Sequence, residues 1–152
     1  MRFEPYLREK EIHVREIFMV TTLWKHLKDA VPKKYGEDYR IKVERHLANF
    51  VRGGKIREGK HIKEILPFGN GVWEFRILES PQTRIFGTFI DSDLFIAFYM
   101  EKRSTLKSQR FNDFANRTKS QWNILFGNKS MLLSSNINDL ISNGVCYDER
   151  KK

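Results

Sequence analysis

Arg76 and Arg84, with the Lys102-Arg103 dipeptide further on, are the residues of this chain whose type and spacing could do chemistry. A guanidinium is planar and always charged, and it donates in a fork that matches the oxygens of a phosphate or carboxylate. Two strand arginines pointing the same way would hold one anion between them, so strand parity decides the matter. The runs Val72–Leu78 and Arg84–Ile90 are rich in β-branched and aromatic residues and flank a turn containing Ser80-Pro81, which predicts two strands of a hairpin. With 79–83 as the loop, Leu78 faces Arg84 and Arg76 faces Phe86. Glu74, Arg76 and Arg84 then share one face, while Trp73, Phe75, Ile77, Ile85 and Phe89 turn to the other. Arg76 and Arg84 become diagonal neighbours, about 7 to 8 Å apart at the backbone. Carrying the same parity through a turn at 91–93 brings Met100 beside Arg84 and Lys102 to the rim of that face, provided no bulge intervenes. The plainer alternative is that both arginines pair with Glu74 or with C-terminal carbonyls.

The elements that position these residues are legible from periodicity. Leu94–Met100 is almost continuously apolar, as a central strand covered on both faces requires. Together the three runs form an antiparallel meander. Before it, Leu23, Leu27 and Val31 recur at helical spacing up to Pro32, and Tyr39, Val43, Leu47, Phe50 and Val51 mark a second helix that Gly53 and Gly54 end. These two predict an antiparallel helix pair lying on the apolar side of the sheet. A first strand falls on Ile12 and Val14 or on Ile17 and Met19, and a short one on His61–Leu66. Leu106, Arg110, Phe114, Thr118 and Leu125 predict a third helix starting near Ser104 and capped by Gly127, with a short fourth at 136–144 and a fraying tail at 148–152. The fold class expected is α+β: a twisted antiparallel sheet of about four strands, the helix pair on one face, and a C-terminal helix. At 152 residues the chain fits one domain able to bury a core without staples.

The net charge of +9 is concentrated. Residues 52–63 carry five Lys or Arg against one Glu, and residues 102–119 six against one Asp; the rest of the chain balances. Two basic segments bracketing one sheet point to a polyanion-binding surface, with Lys55, Arg57, Lys60, His61, Lys63, Lys107 and Arg110 as the candidate contacts. The glycines at 53–59 lack phosphate-loop spacing. Cys146 is the single cysteine, which excludes an internal disulfide, and no apolar run approaches membrane-spanning length. With no leader-like start, the expected location is the cytoplasm. His13, His26 and His46 have no Cys or carboxylate spacing for metal. No metal and no cofactor are expected.

GVWEFRI, a turn, TRIFGTFID and LFIAFYMEKRS together resemble the core of the RelE/ParE superfamily of toxin-antitoxin toxins, including the RelE, HigB and YoeB types. The likeness covers roughly 12–125 in element order and 60–104 in motif. It implies a RelE-like domain with an atypical extension at 127–152. It also implies a ribosome-dependent endoribonuclease that cleaves messenger RNA by attack of the ribose 2′-hydroxyl on the scissile phosphate. Its partners would be the ribosome, messenger RNA and a cognate antitoxin.

That chemistry needs a base for the 2′-hydroxyl, cations for the developing phosphate charge, and a proton donor for the departing 5′-oxygen. The resemblance implies Arg84 and Arg103 as phosphate clamps, Arg76 as a basic strand residue, and Lys102 as a proton donor. For the base it favours Glu64 over Glu74 and His61. Where relatives place a tyrosine or a histidine-tyrosine pair, this chain has Gln109 and Phe111. Two other readings stand beside the nuclease: a ParE-like inhibitor of DNA gyrase on the same fold, and an RNA- or ribosome-binding module without chemistry.

Overall fold

The computed structural model describes residues 2–3, 14–65, 67, 70–127 and 129–142. Its architecture is α+β, built on a mixed sheet of six strands in the order β1-β2-β6-β5-β4-β3. The strands are β1 (Arg2–Phe3), β2 (Glu16–Met19), β3 (Ile62–Glu64), β4 (Val72–Ile77), β5 (Thr83–Asp91) and β6 (Leu94–Lys102). The sheet is therefore larger than the expected four strands and not wholly antiparallel: β2 runs parallel to β6, with Ile17 opposite Phe95. A parallel pair needs a long crossover, and the helices between β2 and the meander supply it. Of the two candidate first strands, the one carrying Ile17 and Met19 forms, both side chains being buried; Ile12, like the 148–152 tail, lies outside the described residues.

The first predicted helix does not stop at Pro32. It runs as α1 (Thr21–Lys25), a π-helical segment (His26–Ala30) and α2 (Val31–Tyr35), with Pro32 in the first turn of α2. A proline early in a helical segment is tolerated because the N–H it lacks is one the first turn leaves unpaired. The wider π turn makes Pro32 such a position inside a longer helical run. Gly36, at φ 93°, ends it and opens α3 (Glu37–Val51). The apolar face of α3 buries Tyr39, Val43, Leu47, Phe50 and Val51 against Trp73, Phe75, Ile77, Ile85 and Phe89 of the sheet. Each such fully buried side chain contributes roughly 1.5–3 kcal/mol.

On the opposite face lies α4 (Ser108–Phe126), reached through the 3-10 turn Arg103–Thr105 and ended by Gly127 at φ 58°. Its Phe114 and Ala115 pack on Val72 and Phe86, and its Trp122 on Ile96 and Phe98. The third helix thus begins four residues after the expected start. Beyond it, the segment 129–142 returns to the sheet: Leu132 N donates to Phe89 O at 2.8 Å, and Asp93 N to Leu140 O at 2.8 Å. The helix expected at 136–144 is a single turn, α5 (Ile137–Leu140), and Ile137, Leu140 and Ile141 join the helix-pair core.

Candidate anion-binding site

The β4–β5 register is two residues tighter than the sequence suggested. Arg76 sits directly opposite Arg84, and Glu74 opposite Phe86. Parity is unchanged by a shift of two, so Glu74, Arg76 and Arg84 do share the face that α4 partly covers. The β3–β4 register places Lys63 opposite Glu74, which adds a cation to that face.

The Glu74 carboxylate lies between the two guanidiniums, its Oε1 3.5 Å from Arg76 Nε and 3.9 Å from Arg84 Nε. Its Oε2 is buried with no hydrogen-bond partner among the described residues. Burial raises the Glu74 pKa above the ordinary carboxylate value, even though Arg84, Arg76, Lys63 and Arg103 all pull it down. Burial likewise lowers the Arg84 pKa, against the attraction of Glu74. Arg84 is 1% exposed and Glu74 5%. The Arg84 guanidinium donates from Nη1 to Thr83 O at 3.2 Å and from Nη2 to Gln82 Oε1 at 3.4 Å. So the expectation that the arginines pair with Glu74 describes part of the geometry, while the carbonyls they reach are those of Thr83 and Gly59 and not C-terminal ones; the buried carboxylate oxygen beside them is the part left over.

Arg103 belongs to the same neighbourhood. It is exposed, its guanidinium lies 5.3 Å from the Phe111 ring centroid, and its Nη1 donates to Leu106 O at 2.9 Å. Phe111 is half-buried and packs edge-on against Phe86. Arg110 and Lys107 are exposed at the start of α4, Arg110 stacking over Phe114 at 5.6 Å. Arg117, one heptad on and within the second basic segment, lies over both Tyr99 and Phe114.

Two predicted site residues are not brought to this face. Lys102 pairs in register with Thr83 and places its Nζ 4.0 Å from the centroid of the Tyr35 ring, on the helix-pair side. The cause is a bulge: Phe86 faces Tyr99 while Gly87 faces Ala97. Phe98 is the extra residue, and both Phe98 and Tyr99 pack toward α4. After it, parity is reversed and Met100 joins the helix-pair core. Glu64 pairs with Trp73 and is 2% exposed, so it too points to the helix-pair side, away from Arg84.

The remaining basic candidates lie at the β3 edge. Lys55, Arg57 and Lys60 are exposed, and His61 Nδ1 accepts from Arg57 N at 2.9 Å. Arg76 Nη1 donates to Gly59 O, which ties this loop to β4. Among the described residues, no group of three His, Cys, Asp or Glu is placed to share a metal ion, and no helix is long and apolar enough to cross a membrane. Comparison of the chain with family models, characterised proteins and solved structures gives no match.

Proposed function

We propose that the protein is a toxin-like endoribonuclease of the RelE/ParE kind, acting on messenger RNA in the ribosome and neutralised by a cognate antitoxin. The observation that carries this reading is the Arg76–Glu74–Arg84 arrangement: two arginines directly opposed on adjacent strands with one buried carboxylate between them. Helix pair, meander and basic C-terminal segment follow in the order the resemblance implies.

In this reading the general base is Glu74, not Glu64. A base works best when its pKa lies near the working pH, and burial moves Glu74 in that direction. Arg76, Arg84 and Arg103 take the charge that develops on phosphate, as fixed donors in a site with little water. Lys63, set against Glu74 by the β3 register, is the lysine on this face that meets the charge of the departing oxygen. Lys102 has no part in the chemistry.

The near-complete burial of Glu74 and Arg84 favours one second reading, a ribosome- or RNA-binding module in which the pair is structural and only Arg103, Lys63 and the α4 arginines meet RNA. Mapping messenger RNA ends in a translating extract separates the two. Wild type makes cuts in phase with codons, and Arg84→Lys and Glu74→Gln, shown folded by circular dichroism, lose them. Inhibition of translation with intact messages would establish the binding module instead.

A further inference from the structure

A pocket of about 420 Å³ opens at the β3 edge of the sheet, between α3 and the loop that precedes β3. Its walls include Arg45 and His46 from α3, Lys60 and His61 from the loop, Arg76 from β4, and Glu79 from the turn after β4. Three fixed positive charges face one carboxylate. The volume lies within the range of pockets that take small organic ligands, so it accommodates a nucleotide unit and not merely a lone ion.

The hydrogen bonds show what the pocket is built to receive. Glu79 Oε2 accepts from Arg45 Nη2 at 2.6 Å and from His46 Nε2 at 3.1 Å, and these two bonds, His46 first, hold its carboxyl below the ordinary value. The carboxylate is half-exposed, and its oxygen occupies the point on which the two α3 donors converge, as an anionic oxygen of a ligand would. His61 Nδ1 is occupied as an acceptor from Arg57 N, so a neutral His61 ring carries its proton on Nε2 and is a donor. Arg45 and His46 converging on one anionic oxygen, with Lys60, His61 and Arg76 in the same wall, are residue types that recognise phosphate. The wall shared with the candidate site is Arg76, whose Nε is 3.5 Å from Glu74 Oε1 while its Nη1 reaches Gly59 O.

We propose that this pocket binds a second backbone phosphate of the RNA chain, next to the one held at Arg76 and Arg84, with the phosphate displacing Glu79 from Arg45 and His46. The proposal rests on the nuclease or RNA-binding reading above for the identity of the polymer. It gives Arg45 and His46, which neither basic window contains, a positioning role: they fix the register of the strand while Arg76 spans both phosphates.

The test uses the full chain, with the imidazole resonances of His46 and His61 followed by NMR during titration with a single-stranded hexaribonucleotide, and separately with inorganic phosphate. The hexaribonucleotide is expected to shift both rings saturably. The Arg45→Ala/Lys60→Ala double variant, whose replaced side chains are both exposed on the surface, is expected to bind at least tenfold more weakly. The slope of its log affinity against log salt concentration should fall by about 0.7, the value for one lost single-strand phosphate contact. Saturable shifts with phosphate that the hexaribonucleotide neither reproduces nor competes away would overturn the proposal in favour of a small-anion site. So would RNA binding that leaves both rings unmoved, or an unchanged salt slope in the variant. If the rings respond to RNA as expected but messages in the extract stay intact, the subsite stands and the nuclease reading falls.

Discussion

Replacing Glu74 by glutamine removes one charge from the centre of the site while keeping its shape, and the expected result runs against the usual one for a buried ion pair. At an effective dielectric of about 20, a charge 3.5 to 3.9 Å away attracts Glu74 by about 4 to 5 kcal/mol from each arginine. If that attraction decided the balance, losing it would destabilise the fold by about 3–5 kcal/mol. In a chain of this size that is a fall of at least about 6 °C in Tm. Yet the Glu74 carboxyl is raised and the Arg84 guanidinium lowered, with burial the largest cause in both, so desolvation outweighs attraction for each partner. Glu74→Gln is therefore expected to melt no lower than wild type at pH 7.

The sign can be followed through pH. The folded state holds the Glu74 proton to higher pH than the unfolded chain does, for which the ordinary value is 4.5. The stability associated with the neutral carboxyl is complete below that value and is lost as pH rises through the raised folded one. Glu74→Gln lacks this loss, so its advantage over wild type should vanish below pH 4.5 and appear above it. In the same variant, loss of a general base is expected to slow cleavage by about 10² to 10⁴, and the acid limb of the wild-type rate profile should lie above the ordinary carboxylate range. Thermal melts from pH 3 to 8 beside single-turnover cleavage assays make the comparison. A Tm drop of 6 °C or more at pH 7, shrinking in acid, would refute the claim that burial dominates.

Three further substitutions probe the frame that holds the site. Arg15→Met removes Nη1 donors to Phe50 O at 3.0 Å and Gly54 O at 2.9 Å at the end of α3, together with the partner of Asp93; a loss of about 3 kcal/mol is expected by urea denaturation. Gly87→Ala would set a methyl group against Ile96 O and the Phe95 ring at the bulge, and should lower stability by about 1–3 kcal/mol through forced backbone movement, read from its melting curve. Leu140→Ala, at a fully buried position, is expected to cost about 2–5 kcal/mol, which a calorimetric scan would show and which would be absent if the returning segment were a passive appendage.

How much of this was legible in the sequence follows from what each signal can carry. Helical periodicity found the face of α3, where Val43 and Leu47 are buried at fixed spacing, and the middle of that of α4 through Phe114 and Thr118, whereas Arg110 and Leu125 of the same expected set are exposed. Alternation found the face of Arg76 and Arg84, and survived a two-residue error in register because parity is all it used. Arg15 was missed: nothing local distinguishes a buried arginine satisfying carbonyls 35 and 39 residues away from a solvated one. The parallel β2–β6 pair was missed for the same reason, since pairing across the helices leaves no mark on either strand alone. The return of 129–142 to the sheet depends on where Phe89 and Asp93 offer backbone partners, which the segment's own residues do not encode.

The β6 bulge is the point at which sequence reasoning and geometry part most sharply, and Gly87 lies at its register shift. A side chain at this position would meet the Ile96 carbonyl and the Phe95 ring, so the two backbones approach more closely than two ordinary strand residues allow. That approach accommodates Phe98 as an extra residue, letting both Phe98 and Tyr99 pack toward α4. The gain is aromatic burial on the α4 face; the consequence is that every later side chain on β6 changes side. Lys102 is thereby carried to Tyr35, while Arg103, just beyond the strand in its own turn, keeps its charge near Glu74 and Arg84. Adjacent cations in the sequence therefore serve opposite faces of the sheet. Neighbouring strand residues face opposite sides in any case; the bulge decides which of the two goes where, so that Lys102 meets the helix pair and Arg103 borders the anion site.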